Sequence, residues 1–158
     1  MTESGIVREL MTEEIWGEVL NWRNDPLVYI WNRTDRPITP SEHFAWFNFR
    51  QSAFDSEPVF SYRLRKTIVG MSRLDFLSHE TYEVSIIVNP KFRGKGYGKF
   101  ILADTCAYFL SNKPLKSKLI ATIHSQNAIS QRLFQSLGFK SSSVQGNFGT
   151  YTYFKASD

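Results

Sequence analysis

The sequence predicts a mixed α/β (α+β) fold, in which helices cover both faces of a mostly antiparallel central sheet of about six to seven strands. Short runs of alternating or β-branched apolar residues are interleaved with helical patterns in the order β-α-α-β-β-β-α-β-α-β-β. A chain of 158 residues, 42% hydrophobic and 22% charged, has the size and composition of one globular domain. We therefore expect a single domain over residues 1–158.

The first third of the chain predicts one strand and two helices. Residues 6–10 have the pattern of a short strand, and Thr12 is a typical helix N-cap because acidic residues follow it. The pair Asp25-Pro26 interrupts this first helical pattern. Thr39 then begins a second helix that runs to about Gln51.

The rest of the chain predicts six strands and two further helices. The predicted strands are 58–65, 68–76, 81–89, 119–124, 139–143 and 150–154, and the predicted helices are 97–110 and 127–137. Gly138 follows the last helix in the position that favours a C-terminal glycine.

A basic, glycine-rich segment, KFRGKGYG at residues 91–98, separates a β-branched strand from a helical pattern. Glycines allow the backbone to approach a ligand closely, and the free N–H groups of a helix N-terminus favour an anion. The segment therefore predicts a phosphate site. It matches neither common nucleotide motif, since Lys99 replaces the third glycine of the dinucleotide pattern and Phe100 replaces the Ser or Thr of the ATP P-loop.

Two motifs in order give the chain a family resemblance. Arg93, Gly96 and Gly98 fit the pattern Arg-x-x-Gly-x-Gly, and residues 127–139 fit Asn-x-x-Ala/Ser-x-x-Leu-Tyr-x-x-x-Gly-Phe except at the tyrosine. Over about residues 60–155 the chain resembles the GCN5-related N-acetyltransferases (GNAT). The resemblance implies a GNAT fold with a splay between strands four and five. It implies residues 57–158 as the acetyl-CoA-binding core and residues 1–56 as mainly the acceptor side.

The resemblance also implies acetyl-CoA as co-substrate, no metal, and direct transfer of acetyl to a primary amine. It assigns co-substrate binding to three groups of residues: the backbone of Ile86, Ile87 and Val88; the loop residues Arg93, Gly94, Lys95, Gly96, Tyr97, Gly98 and Lys99; and the helix residues Asn127, Arg132 and Phe134. A helix N-cap is the alternative role for Asn127, and one side chain can fill both roles.

The resemblance leaves the acid and the base open. Phe134 stands where the family often has a tyrosine that protonates the leaving thiolate, so Tyr97, Tyr151 and Tyr153 are possible replacements. Glu83 is the first candidate for the base, although a hydrogen bond to a neighbouring strand explains it equally well. The histidines at 43, 79 and 124 are secondary candidates. The backbone N–H of Val88 is the expected oxyanion donor.

The N-terminal part has a shorter resemblance to acetyltransferases of nucleotide-linked amino sugars, including the pseudaminic acid type. It suggests the acceptor-binding residues Trp22, Arg23, Asn24, His43 and Trp46, with Arg33 as a further diphosphate ligand, although the aromatic residues also suit a core. We therefore expect an amino-sugar nucleotide as acceptor. The alternatives are an N-terminal acetyltransferase of the ribosomal-protein type and a non-catalytic acetyl-CoA-binding regulatory module.

Charge and composition limit the other partners. Residues 1–90 have a net charge of −4 and residues 91–158 a net charge of +8, and the basic residues concentrate at the glycine loop. We expect no nucleic-acid partner because no recognisable nucleic-acid module accompanies them. No apolar run is long enough to span a membrane and no secretory signal is evident, so we expect a cytoplasmic protein with no membrane partner. The sequence leaves the oligomeric state open, with a homodimer as one alternative.

Overall fold

Seven strands form one sheet in the computed structural model, which describes residues 5–154. The strands are β1 (Ile6–Leu10), β2 (Val59–Leu64), β3 (Thr67–Ser78), β4 (Thr81–Val88), β5 (Lys118–His124), β6 (Phe139–Gln145) and β7 (Phe148–Tyr153). The helices are α1 (Glu13–Arg23), α2 (Pro26–Tyr29), α3 (Pro40–Gln51), α4 (Tyr97–Asn112) and α5 (Ala128–Ser136), with one 3-10 turn at Pro90–Phe92. The predicted fold class is confirmed.

The strand order is β1-β2-β3-β4-β5-β7-β6, and only the central pair β4–β5 is parallel. That pair is short, because it ends after the matches Thr81–Lys118, Tyr82–Leu119 and Glu83–Ile120. Beyond Glu83 the two strands diverge, which is the predicted splay between strands four and five. The sheet is therefore open at its centre, beside the loop that follows β4.

The two faces of the sheet are covered by different helices. On one face α1 and α3 pack against the sheet through a core that includes Trp16, Phe47 and Met71. On the other face α4 and α5 pack through Leu102 and Phe134. These apolar contacts remove large side chains from water and supply most of the driving force for folding.

The helix starts follow local capping rules. Thr12 accepts a hydrogen bond from the Ile15 N–H, as its position predicts. Thr39 and Glu42 form a reciprocal capping box at the start of α3. The short helix α2 was not predicted. It forms because the Asp25 side chain accepts from the Leu27 N–H, and a proline is tolerated in the first turn.

The last hairpin is tighter than predicted. The connection between the predicted strands 139–143 and 150–154 is reduced to a turn at residues 146 and 147, with β6 extended to Gln145 and β7 starting at Phe148. Gly146 has a φ of +60°, the left-handed conformation that short hairpin turns require.

Gly70 allows α4 to lie close to β3 and β4. A Cβ atom at this position would lie 2.5 Å from Ile101 Cδ1 of α4 and 2.8 Å from the Ile87 carbonyl oxygen. Since the second atom belongs to the backbone, it cannot move away cheaply. Gly17 in α1 differs, because a Cβ atom there meets Phe44 at an ordinary 3.5 Å.

We expect Gly70→Ala to destabilise the fold by about 1–3 kcal/mol, because the added methyl group overpacks the contact between α4 and the sheet. The matched control is Gly17→Ala, which should stabilise the fold by about 0.5–1 kcal/mol, since alanine favours a helix interior. Urea unfolding of both variants measures the difference. Equal effects of the two substitutions would contradict the close packing at Gly70.

Candidate active site

The open part of β4 presents backbone groups to the gap between β4 and β5. The Asn89 N–H donates to the Val69 carbonyl at 2.8 Å, while Val88 is matched with Gly70. In an antiparallel pair this register makes Val88 a non-hydrogen-bonded position, so its own N–H and C=O point away from β3. Ile86, two residues earlier, has the same orientation. Both residues therefore direct polar backbone groups into the gap, where β5 does not pair with them.

The glycine loop follows the C-terminal end of β4 and lies beside this gap. Gly94 and Gly96 have φ values of +76° and +85°, and a Cβ atom on either would meet no atom within 4 Å. Gly98 has the opposite environment, since its Cβ would lie 3.3 Å from Leu133 and 3.4 Å from Val88. The start of α4 is thus packed against α5 and β4, and the concave side of the loop is open to a ligand.

Arg93 lies in this loop with one guanidinium nitrogen unpaired. Its Nη1 lies 3.5 Å from Asp25 Oδ2, whereas its Nη2 is buried and has no hydrogen-bond partner within residues 5–154. A buried unpaired guanidinium nitrogen is costly. The free α4 N-terminus and the open glycines fit a diphosphate group.

The remaining predicted co-substrate residues lie around the same loop. Lys95, Lys99 and Arg132 are exposed, as free cations around a phosphate site would be. Tyr97 packs edge-on against Phe92, with ring centroids 5.8 Å apart. All of these residues lie on the loop, on the first turn of α4 or on α5.

Asn127 has the alternative role that the sequence allowed. Its Oδ1 accepts from the Ser130 N–H at 3.3 Å, which caps α5, and its Nδ2 donates to Ser130 Oγ at 3.0 Å. Phe134, seven residues further on, is buried against Phe139 with ring centroids 5.0 Å apart. The tyrosine hydroxyl of the family pattern is therefore replaced by an apolar contact.

Among the possible replacement tyrosines, none forms a hydrogen bond through its hydroxyl within the described residues. Tyr151 is buried in the core under α4 and α5, and burial raises the pKa of the half-buried Tyr153. Tyr97 lies at the start of α4, beside the glycine loop. The contacts therefore do not single out one tyrosine as an acid.

Glu83 lies where the gap begins, in the last matched pair of β4 and β5. Its Oε2 accepts from Arg33 Nη2 at 3.0 Å and from Thr122 Oγ1, and its side chain is 11% exposed. No hydrogen bond from residues 5–154 reaches its Oε1. The hydrogen bond to a neighbouring strand that the sequence allowed is thus present, and one carboxylate oxygen is still available to a substrate.

His43 is fully buried, which removes it from direct contact with an acceptor, contrary to the prediction. Its ring stacks on Trp16 with centroids 4.2 Å apart and contacts the Trp16 carbonyl through Nε2. Burial lowers the pKa of His43 to about 4, so the ring is neutral at pH 7. With Nε2–H donating to the carbonyl, Nδ1 accepts from Arg23 Nη1 at 3.0 Å. His43 therefore holds Arg23 in place.

The other predicted acceptor residues have different environments. Trp22 is buried in the core, and Asn24 bonds the N–H and C=O of Ile38, which ties the end of α1 to the segment before α3. Trp46 is half-buried between two guanidinium groups, those of Arg50 at 5.2 Å and Arg73 at 5.0 Å from its ring centroid. Of this set, Arg23, Asn24 and Trp46 are partly exposed, whereas Trp22 and His43 are buried.

Sequence reasoning missed Arg73 and Thr122. Both lie on the same face of the sheet as Glu83, because Arg73 is matched with Ser85 and Thr122 bonds Glu83 across the splay. The only available signal was the alternation of polar side chains along β3, where Arg73 and Asp75 are two residues apart. This signal does not distinguish a binding residue from an exposed one.

The secondary histidines do not add a base at the gap. His124 Nδ1 accepts from the Gln126 N–H at 3.1 Å, and its ring packs against Trp31 with centroids 5.1 Å apart. His79 lies in the exposed turn between β3 and β4.

Burial raises the pKa of Cys106 to about 12, so this thiol is not a nucleophile at neutral pH.

Residues 5–154 contain no cluster of three or more His, Cys, Asp or Glu side chains arranged to hold a metal ion. No helix in that range is both long and apolar enough to cross a membrane.

Comparison with known proteins identifies relatives of the whole arrangement. The chain matches the Acetyltransferase (GNAT) domain family over residues 6–140. It is 33% identical over 70% of its length to an L-methionine sulfoximine/L-methionine sulfone acetyltransferase of Salmonella typhimurium, and spans 64% of that protein. It is 31% identical over 77% of its length to the L-amino acid N-acyltransferase MnaT of Escherichia coli, and spans 70% of that protein.

Solved structures have the same fold. A domain from Methanocaldococcus jannaschii superposes with a TM-score of 0.80 at 24% identity, covering 95% of this chain and 98% of that one. The Salmonella typhimurium protein yncA, solved with its cofactor acetyl-CoA, gives a TM-score of 0.74 at 22% identity, covering 98% and 99%. From the family match and the relatives above 30% identity, the chain belongs to the GNAT acetyltransferase family.

Proposed function

We propose that this protein is an acetyl-CoA-dependent N-acetyltransferase that transfers acetyl directly to the primary amine of an anionic small molecule. The observation that carries the proposal is the pair of backbone groups, at Ile86 and Val88, that face the gap beside the glycine loop. An extended pantetheine arm would bind such groups as an added strand does. The related fold of yncA, solved with acetyl-CoA, supports this choice.

The chain provides a place for each charged part of acetyl-CoA. The backbone N–H groups of residues 93–98 would hold the pyrophosphate. Exposed Lys95, Lys99 and Arg132 would lie near the ribose phosphate. When bound, acetyl-CoA supplies the thioester that the amine attacks.

The residues around the gap can assist direct attack. The Val88 N–H would donate to the oxyanion that forms at the thioester carbonyl. Glu83 Oε1 would accept a proton from the amine, while Oε2 is held by Arg33 and Thr122. With Phe134 in place of a tyrosine, the thiolate leaves without this acid, which is feasible because a free thiol has a pKa of about 8.5.

The acceptor is proposed from charge. Arg23, Arg33 and Arg73 lie on the α1/α3 side of the gap, which favours an acceptor that carries a carboxylate or phosphate. The Salmonella and Escherichia coli relatives are named for amino acids, which supports an α-amino acid. The second candidate is the nucleotide-linked amino sugar, favoured by Trp31 and Arg33 beside the gap, where they can bind a base and a diphosphate.

The same charge disfavours other acceptors found in structures of this fold. A spermidine N-acetyltransferase of Vibrio cholerae and a ribosomal-protein-alanine N-acetyltransferase of Brucella melitensis are among them. A polyamine would be repelled by Arg23, which makes no ion pair within the described residues, and a peptide N-terminus is better served by an acidic groove. A regulatory module would bind acetyl-CoA without releasing thiol.

An amine panel tests the proposed reaction. We expect release of free CoA thiol with an α-amino acid such as L-methionine sulfone or with a UDP-linked amino sugar. We expect little release with spermidine or with a peptide that begins with alanine. A thiol reagent follows the release and mass spectrometry identifies the acetylated product. Failure of every amine would contradict acetyl transfer, and a preference for spermidine or the peptide would contradict an anionic acceptor.

We expect Gly96→Glu to abolish acetyl-CoA binding, because a side chain and a negative charge would enter the open side of the loop. The matched control is Gly146→Glu, since Gly146 also has positive φ and open space but lies in the β6–β7 turn. Calorimetric titration should give no binding heat for the first variant and normal affinity for the second. Equal affinity in both would refute the loop assignment.

We expect Glu83→Gln to lower kcat by roughly 10²-fold, because an amide cannot accept the amine proton. KM should change less than kcat, since the amide keeps the size and the hydrogen bonds of the side chain. Glu80→Gln, at the exposed turn before β4, is the control and should leave both constants unchanged. An unaltered pH–rate profile in Glu83→Gln would exclude this residue as the base.

A further inference from the structure

Two arginine side chains flank one aromatic platform on the α1/α3 face. Arg23 ends α1 and its guanidinium carbon lies 5.6 Å from the Trp16 ring centroid. Arg73 is on β3 and lies 5.0 Å from the Trp46 ring centroid. The two indoles are stacked with centroids 5.1 Å apart. The platform therefore holds both guanidinium groups on the same side of the sheet.

The carboxylates nearby are already engaged by arginines. Asp75 Oδ1 accepts from Arg50 Nη1 at 2.6 Å, and Asp75 Oδ2 forms an ion pair with Arg73 Nε at 3.2 Å. Glu42 is bonded to Arg36 at 3.0 Å. Within residues 5–154, Arg23 makes no ion pair, and its side chain bonds only the neutral His43. The remaining donors of Arg23 and both Nη groups of Arg73 have no hydrogen-bond acceptor within the described residues, so they are left for a ligand.

The two arginines also repel each other. Burial, followed by the charge of Arg73, lowers the pKa of Arg23 to about 10. Arg23 is still a cation at pH 7, so the repulsion is present in the folded protein. An anion between the two guanidinium groups would relieve it and accept their hydrogen bonds.

The position of the pair relative to the gap matches the reaction. Arg73 is matched with Ser85 across the β3–β4 pair, and Ser85 precedes Ile86, whose backbone faces the gap. Cα atoms matched in this way are about 5 Å apart. A ligand anion held at Arg73 would therefore leave the rest of a small molecule beside the open part of β4, where the amine is needed.

We propose that Arg23 and Arg73 form an anion subsite that binds the carboxylate or phosphate group of the acceptor. The proposal rests on the acetyl transfer proposed above and adds the part of the acceptor that the enzyme recognises. His43 is a positioning residue, because its neutral Nδ1 fixes Arg23 through one nitrogen and leaves the others free. Planar guanidinium groups suit both oxyanions, and the acceptor used in the test separates them.

The test compares each anionic acceptor with its neutral counterpart. L-methionine sulfone is paired with its carboxamide, and a UDP-linked amino sugar is paired with the free amino sugar. For the unaltered chain, kcat/KM should favour the anionic member of the pair that the enzyme uses. Arg23→Gln and Arg73→Gln should each lower kcat/KM for that member by roughly 10- to 100-fold and spare the neutral one.

Arg36→Gln is the matched control, since Arg36 is an exposed arginine whose two Nη groups both bond Glu42. It should retain the preference of the unaltered chain. An unaltered chain without preference for either anionic acceptor overturns the subsite, whatever the variants do. An equal loss with anionic and neutral acceptors in Arg23→Gln and Arg73→Gln also overturns it. Absence of thiol release with every amine contradicts the acetyl transfer itself, so the two failures are distinguishable.

Discussion

The early end of the β4–β5 pairing is the constraint on which the rest of the structure depends. Parallel strands of equal length would pair along their whole edge and satisfy the N–H and C=O groups of Ile86 and Val88. Here the pairing stops at Glu83, and the gap is fixed at both ends. At the C-terminal end of β4, Gly98 lets α4 contact Leu133 of α5. At the other end of the gap, the Glu83 carboxylate bonds Thr122 of β5. Backbone groups that would be costly to leave unpaired in a core are thereby available to a ligand.

Alternate side chains of β4 point to opposite faces of the sheet and contact different helices. Val84 and Ile86 pack with α4 and α5, on the side of the glycine loop, whereas Glu83 and Ile87 face α1 and α3. The backbone between them faces the gap. One strand thus presents the side proposed for the co-substrate, the side proposed for the acceptor and a row of hydrogen-bonding groups, which is possible because alternate side chains point to opposite faces.

Most of the fold was predictable because its signals are local. Alternation identified the strands, Thr12 and Thr39 identified two helix starts, and the glycine loop together with residues 127–139 indicated the family. The acceptor side was less predictable, because it is built from residues distant in sequence. The sequence does not show that His43 would be buried against Trp16, or that Arg33 would reach Glu83, 50 positions away. Such contacts depend on how α1, α3 and the intervening segment pack on the sheet.

The arginines of the α1/α3 face show how a binding cation differs from a structural one in the same cluster. Arg50 is buried, and each of its nitrogens has an acceptor, from Asp75 and the carbonyls of Glu57 and Leu74. Arg23 has a neutral histidine as its bonding partner and a second cation nearby, an arrangement that costs electrostatic energy and that packing alone does not require. Local conflicts of this kind are expected where a ligand completes the site. The contrast between a satisfied Arg50 and an unsatisfied Arg23 is therefore the physical reason to place the acceptor's anion on Arg23.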